Sequence, residues 1–151
     1  RHADRPVLVV PEGAELVPRT VVAATDFGPT GAHAAAAALG LVADGGTLHL
    51  VHAWDPGSLA GIGLAGGAFG GTFGGVTAPP APPAVQRMLD AYAAGLPERF
   101  AQLRAALPAR AGVAVATKVV QGRTAPEVLA YARAHGADLV AAGRHARGLV
   151  G

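Results

Sequence analysis

Short apolar runs, each closed by turn residues, alternate along the chain with longer stretches of helical periodicity. Pro6–Val10 (P-V-L-V-V) is brief and β-branched and stops at Pro11, Glu12 and Gly13, which reads as a strand buried on both faces. Thr20–Thr25 (T-V-V-A-A-T) repeats the pattern and ends at Asp26. Thr30–Ala43 is alanine-rich with Leu39 and Val42 on one side, a strong helix former, and Asp44, Gly45 and Gly46 close it with a glycine suited to the left-handed cap. Thr47–Trp54 (T-L-H-L-V-H-A-W) is a further strand.

Composition then shifts abruptly: Gly57–Pro83 is glycine and proline with Leu59, Ile62, Leu64, Phe69 and Phe73 but no charge, and it reads as a loop. Two roles fit it, a partner-docking flap or crevice lid and a disordered insertion. Beyond it Val85, Met88, Leu89, Tyr92, Leu96, Phe100, Leu103 and Leu107 recur at three- and four-residue steps, an amphipathic helix that Gly95 and Pro97 are expected to kink or split. Val113–Val120 is a strand. Thr124 with Glu127 reads as a capping box opening a helix to about His135, with Gly136 placed to end it. Asp138–Ala142 is the last strand, and Gly143–Gly151 follows as a loop. Strands and helices alternating at these spacings predict βαβ units with right-handed crossovers, so the fold class is α/β with an open parallel sheet covered on both faces.

With 151 residues, 51% hydrophobic and 15% charged, the chain supports one domain with a real core. The formal net charge of +2 comes without any basic block, which argues against nucleic acid as a partner. The absence of cysteine excludes disulfides, thiolate metal sites and cysteine nucleophiles, and a reducing cytoplasm is the simplest fit. Pro56–Gln86 is uncharged yet too broken by glycine and proline to span a membrane, and no apolar signal core precedes Pro11. A soluble protein without membrane attachment is expected.

Four segments together resemble the universal stress protein family: V-V-A-A-T-D-F-G at Val21–Gly28, L-H-L-V-H-A at Leu48–Ala53, Gly122 before the following helix, and A-D-L-V-A-A-G-R-H-A at Ala137–Ala146. The resemblance implies a Rossmann-like domain over residues 20–151, strand order 3-2-1-4-5, with a nucleotide over the carboxyl ends of strands 1 and 4. Residues 1–13 resemble the last strand of such a domain, and residues 14–19 read as a linker. A fragment of a tandem protein, a missing internal stretch and a permuted or strand-exchanged arrangement all fit. The tandem origin is preferred, with Val7–Val10 as an edge strand beside Leu139–Ala142 of its own chain or a partner's.

The resemblance gives Asp26, with Thr25, the base and ribose end of the ligand, and gives Ala53, just after His52, a backbone contact to adenine. A carboxylate there accepts from an amine or a ribose hydroxyl, and capping of the following turn is an equally open role for Asp26. Nucleotide-binding members carry a phosphate loop G-x-x-G-x9-G-S/T, whose glycines let backbone N–H groups approach phosphate oxygens. Gly143 fits its first glycine, Ala146 stands at the second, and the rest falls past Gly151. Arg144, His145 and Arg147 read either as positive charge for phosphates or, the preferred reading, as a solvated loop, and Gly148 reads as a shifted substitute for the missing glycine.

Gly61, Gly63 and Gly66 spell G-x-G-x-x-G but lead into more glycine and proline instead of a helix, so a dinucleotide fingerprint is rejected. His49 and His52 are three apart on a strand and point to opposite faces, so they are packing residues and no metal site is expected. The implied function is an adenine-nucleotide (ATP) binding stress-response module, a homodimer or tandem-domain pair through the edge strand. No catalytic triad or carboxylate pair stands at an interpretable spacing, so no enzyme is expected. The alternative is a dimerisation or assembly domain of the same family that has lost nucleotide affinity, favoured by Ala146; a small α/β enzyme acting on a flavin or adenylated substrate shares the fold but lacks a reactive residue.

Overall fold

The computed structural model of the chain describes residues 17–55, 72–73, 76–77 and 83–143. In chain order the elements are β1 (Thr20–Ala24), α1 (Pro29–Leu41), β2 (Thr47–Trp54), β3 (Thr72–Phe73), β4 (Val76–Thr77), α2 (Pro83–Ala106), β5 (Ala114–Gln121), α3 (Thr124–Ala134) and β6 (Leu139–Ala142). The main sheet has four strands in the order β5-β2-β1-β6, all pairs parallel. Numbered along the chain, its strands run 3-2-1-4, as expected; Val7–Val10 and their proposed pairing with Leu139–Ala142 lie outside the described residues. Registers are unbroken: Ala24 stands opposite Val51 on one side and Ala142 on the other.

Strand alternation sends Val21, Ala23, Leu48 and Leu50 to one face, where Ala35, Ala38, Leu39 and Val42 from the α1 segment and Phe100 and Leu103 of α2 cover them. Val22 and Val51 leave on the other face and meet Val128 and Ala132 of α3. Two helices thus lie on the side reached by the β1–β2–β5 progression. The third lies on the opposite side, because a right-handed crossover from β5 back past β1 to β6 must use the other face.

Helix ends depart from the expected chemistry in two places. Gly45 is in the left-handed region (φ 77), but the carbonyls at the end of α1 are met from a distance in sequence. The Arg110 guanidinium donates to the carbonyls of Leu39 at 3.0 Å, Gly40 at 2.6 Å and Val42 at 2.6 Å. The capping box expected at Thr124 is absent: Arg123 is the N-cap, Thr124 is already helical, and no side chain caps the end. Glu127 instead lies against Gly122, where a methyl would come 2.9 Å from its Cγ; with φ 131, that position requires glycine. Gly136 ends α3 as expected, at φ 58.

Helix α2 is a single helix of 24 residues that passes through Gly95 and Pro97 without splitting. Leu89, Leu96, Phe100 and Leu103 are buried along it on both sides of Pro97, so packing holds the two halves in line despite one lost backbone hydrogen bond. Within the stretch expected to be loop throughout, β3 and β4 pair antiparallel, Thr72 with Thr77 and Phe73 with Val76. The sequence signal was the Gly74-Gly75 pair between β-branched and aromatic residues. Among the described residues no helix is long and apolar enough to cross a membrane.

Candidate functional site at the carboxyl ends of the strands

The chain leaves β1 toward one side of the sheet through α1 and reaches β6 from the other side through α3, so the carboxyl ends of these two neighbouring strands frame a topological switch point. Thr25 continues β1 with its N–H donating to the Val51 carbonyl at 2.9 Å, and it is buried at 7% exposure. Its hydroxyl accepts the N–H of Phe27 at 2.9 Å, and Asp26 Oδ1 accepts the N–H of Gly28 at 2.9 Å. These two side-chain turns bracket Phe27, whose φ of 64 is the only left-handed value of a non-glycine residue among the described residues. Such a conformation costs a bulky side chain about 1–2 kcal/mol. Ring packing offsets it, with Phe27 centred 4.7 Å from His52 and 4.9 Å, edge-on, from Phe100.

Asp26 and Gly143 meet at one turn of α1. A methyl added to Gly31 would come 2.8 Å from Asp26 Oδ1 and 3.1 Å from Thr25 Oγ1. A methyl added to Gly143 would come 2.6 Å from the carbonyl carbon and oxygen of Thr30 and 2.8 Å from the nitrogen of Gly31. The Thr25 and Asp26 side chains and the Gly143 backbone therefore surround the Thr30–Gly31 peptide. The first helical turn presents its N–H groups ahead of the earliest backbone bond, Ala32 to Gly28 at 3.0 Å. The arrangement combines a carboxylate acceptor with backbone donors at the positive end of a helix.

Ala53 stands one strand away, half-buried, opposite Val120 of β5 and packed on the α3 side. His145, Ala146 and Gly148 lie outside the described residues. A cavity of about 470 Å³ opens beside Phe27 between α1 and α2, lined by Ala32, Arg99, Gln102, Leu103 and Ala106.

The two histidines face opposite sides of the sheet. His52 Nδ1 donates to the Thr25 carbonyl at 2.8 Å, since a carbonyl only accepts, and in its neutral form Nε2 accepts from the Tyr92 hydroxyl at 2.9 Å. Tyr92 in turn stacks on Trp54 (5.3 Å, 13°) and carries Arg99 over its ring at 5.2 Å. Phe27 and Tyr92 are the site-supporting residues that sequence reasoning missed, the one signal being Tyr92 within the apolar stripe of α2; His52 reads from the sequence as a packing residue and packs on Phe27. His49 bonds the Tyr131 hydroxyl at 2.9 Å on the α3 face, and its pKa is lowered first by burial and then by His135. Among the described residues no group of three or more histidine or carboxylate ligands could hold a metal.

A parallel sheet of order 3-2-1-4, with an acid and a glycine sharing the crevice at its switch point, defines a Rossmann-like α/β protein. Residues 74–151 match the model of the universal stress protein family, and the chain belongs to that family. The Val21–Gly28 and Leu48–Ala53 segments lie outside that match. No curated protein matches the chain. Among solved structures, the crystal structure of protein Rv1636 from Mycobacterium tuberculosis H37Rv is similar, with a TM-score of 0.50 and 14% identity over 89% of this chain and 77% of that one. At that identity the likeness is one of fold.

Proposed function

We propose that this universal stress protein is a regulatory module that takes an adenine nucleotide, ATP or a close relative, over the carboxyl ends of β1 and β6 and signals its presence through assembly rather than turnover. The observation that carries the reading is the single α1 turn enclosed by Thr25, Asp26 and Gly143. Gly31 and Gly143 let the two strand ends close on that turn, since a methyl at Gly31 would meet Asp26 Oδ1 at 2.8 Å and one at Gly143 the Thr30 carbonyl at 2.6 Å. Asp26 is exposed at its rim, suited to a ribose hydroxyl or an exocyclic amine. Ala53 offers backbone to the base, and the segment of Gly143, His145, Ala146 and Gly148 supplies the phosphate end. When bound, the nucleotide contributes the anionic charge that favours the helix N-terminus.

Calorimetric titration of the chain with ATP, ADP and AMP tests this. Saturable heat with ATP, lost on Asp26→Ala while the circular dichroism spectrum is kept, is the expected result. Ligand at about 100 times its Kd also raises stability by about 2.7 kcal/mol. Neither heat nor a change in melting temperature at millimolar nucleotide refutes nucleotide binding and leaves an assembly domain of the same family.

A further inference from the structure

A parallel strand directs the N–H and C=O of alternate residues to each neighbour. Ala114 N–H donates to the Gly46 carbonyl at 3.0 Å, and Gly122 N–H, just past the end of β5, donates to Trp54 at 2.9 Å. The even-numbered residues of β5 therefore face β2, in a register that runs without a bulge from Ala114 to Gln121. The backbone N–H and C=O groups of Val115, Thr117 and Val119 point the other way, to an edge on which no described strand pairs.

Beside this edge, between β5 and α2, lies a cavity of about 510 Å³. Its apolar lining includes Trp54, Leu96, Phe100 and Val119, and Leu96 and Phe100 are themselves buried. Ala93 and Pro97 also line it, and because Pro97 has no N–H, the Ala93 carbonyl lacks its helical donor. A sheet edge whose outward backbone groups meet no described strand, beside an apolar recess under a helix, has the parts that strand addition uses. Main-chain bonds supply the affinity, and pockets for alternate side chains supply the selectivity.

Charge selects the occupant. Arg104 from α2 and Lys118 from β5 both line the cavity, the Lys118 side chain leaving its strand on the face opposite to those of Thr117 and Val119. The only ion pair among the described residues joins Arg110 to Asp44, so neither cation is matched there. Antiparallel pairing of two copies of β5 centred on Thr117, the middle of its outward-facing residues, would bring their Lys118 side chains close together, which is unfavourable. The chain's own residues 57–82 contain no acid to meet either cation.

We propose that the outer edge of β5 receives an extended acidic peptide from a partner protein as an added strand, its side chains alternating between the cavity beside α2 and Lys118. This does not rest on nucleotide binding.

Trp54 is the only tryptophan of the chain and lines the cavity, so its emission reads the site. The probe is a dansyl-labelled peptide, Val-Glu-Val-Thr-Val-Glu, compared with one carrying lysine for glutamate and one carrying proline for the central threonine. Energy transfer from Trp54 to the acidic peptide alone is expected. Arg104→Gln combined with Lys118→Gln weakens binding about tenfold, the scale of two rim ion pairs. Thr117→Pro removes one outward N–H while leaving the ladder to β2 intact, and abolishes binding. Absence of transfer at millimolar peptide, or equal binding of the lysine or proline peptide, overturns the proposal. So does a concentration-dependent dimer that Thr117→Pro dissolves, which assigns the edge to a second copy.

Discussion

Replacing Arg110 by alanine removes the group that closes α1 at its C-terminus. Three carbonyls lose a charged donor: those of Leu39 and Val42, which are partly buried, and that of Gly40, which is exposed. A hydrogen bond to a charged group contributes about 1.5–3 kcal/mol when shielded, and much less where water replaces it. Discounting the two partly shielded contacts to about 1 kcal/mol each, and the exposed one to nearly nothing, gives a loss of about 2 kcal/mol. The accompanying contact to Asp44, at 3.7 Å with the Asp44 side chain 90% exposed, adds almost nothing. With an unfolding entropy of about 2.1 cal/mol/K per residue, a chain of this size changes stability by about 0.3 kcal/mol per degree near its midpoint, so Tm falls by about 6 °C. Urea denaturation followed by circular dichroism measures the difference at constant m-value, with Asp44→Ala alongside. If Arg110→Ala stays within about 0.5 kcal/mol of the parent, or if Asp44→Ala costs as much, carbonyl capping is not what Arg110 does.

Asp138 accepts the N–H groups of Arg19 and Thr20, each at 2.8 Å, and these bonds hold its carboxyl below the ordinary carboxylate range. A depressed folded pKa means that its stabilisation is complete above about pH 4 and is lost as pH falls through the folded value. Asp138→Asn should therefore lower stability at pH 6 and flatten the acid limb of Tm against pH; an unchanged limb refutes the assignment. Gly143→Ala drives a methyl to 2.6 Å from the Thr30 carbonyl. That overpacking should cost about 2 kcal/mol and displace the β6 end from α1, seen as amide shifts at Thr30 and Gly31 in NMR spectra; a variant of parental stability would show that β6 and α1 do not pack this closely.

The strands of the main sheet were legible as short apolar runs closed by turn residues, buried in β1 and β2 and partly exposed in β5 and β6, and the order 3-2-1-4 came with the family resemblance. The helix ends were read less well. Thr124 and Glu127 have the spacing of a capping box, yet the helix begins one residue earlier than that motif requires, and Glu127 packs on Gly122 instead. Pro97 read as a break because local propensity disfavours it, and the buried residues flanking it on α2 outweigh one missing hydrogen bond. In the site, Asp26 and Gly143 were placed in one crevice by analogy, and the packing of both on Thr30–Gly31 agrees with that placement. Phe27 and Tyr92 were overlooked, since nothing local marks a left-handed phenylalanine or a tyrosine whose partner is 40 residues away.

The sequence by itself determined the four strands of the main sheet, the helices between them and the class of fold, because these follow from periodicity, whereas the pairing of Asp26 with Gly143 at the strand tips came from the family resemblance. The tertiary structure alone decided that Arg110 closes a helix some 70 residues earlier, that His52 links Thr25 to Tyr92, and that the outer edge of β5, which no described strand pairs, runs beside an apolar cavity. Each of those depends on which distant backbone groups the folded sheet brings within hydrogen-bonding reach, and no local pattern encodes that.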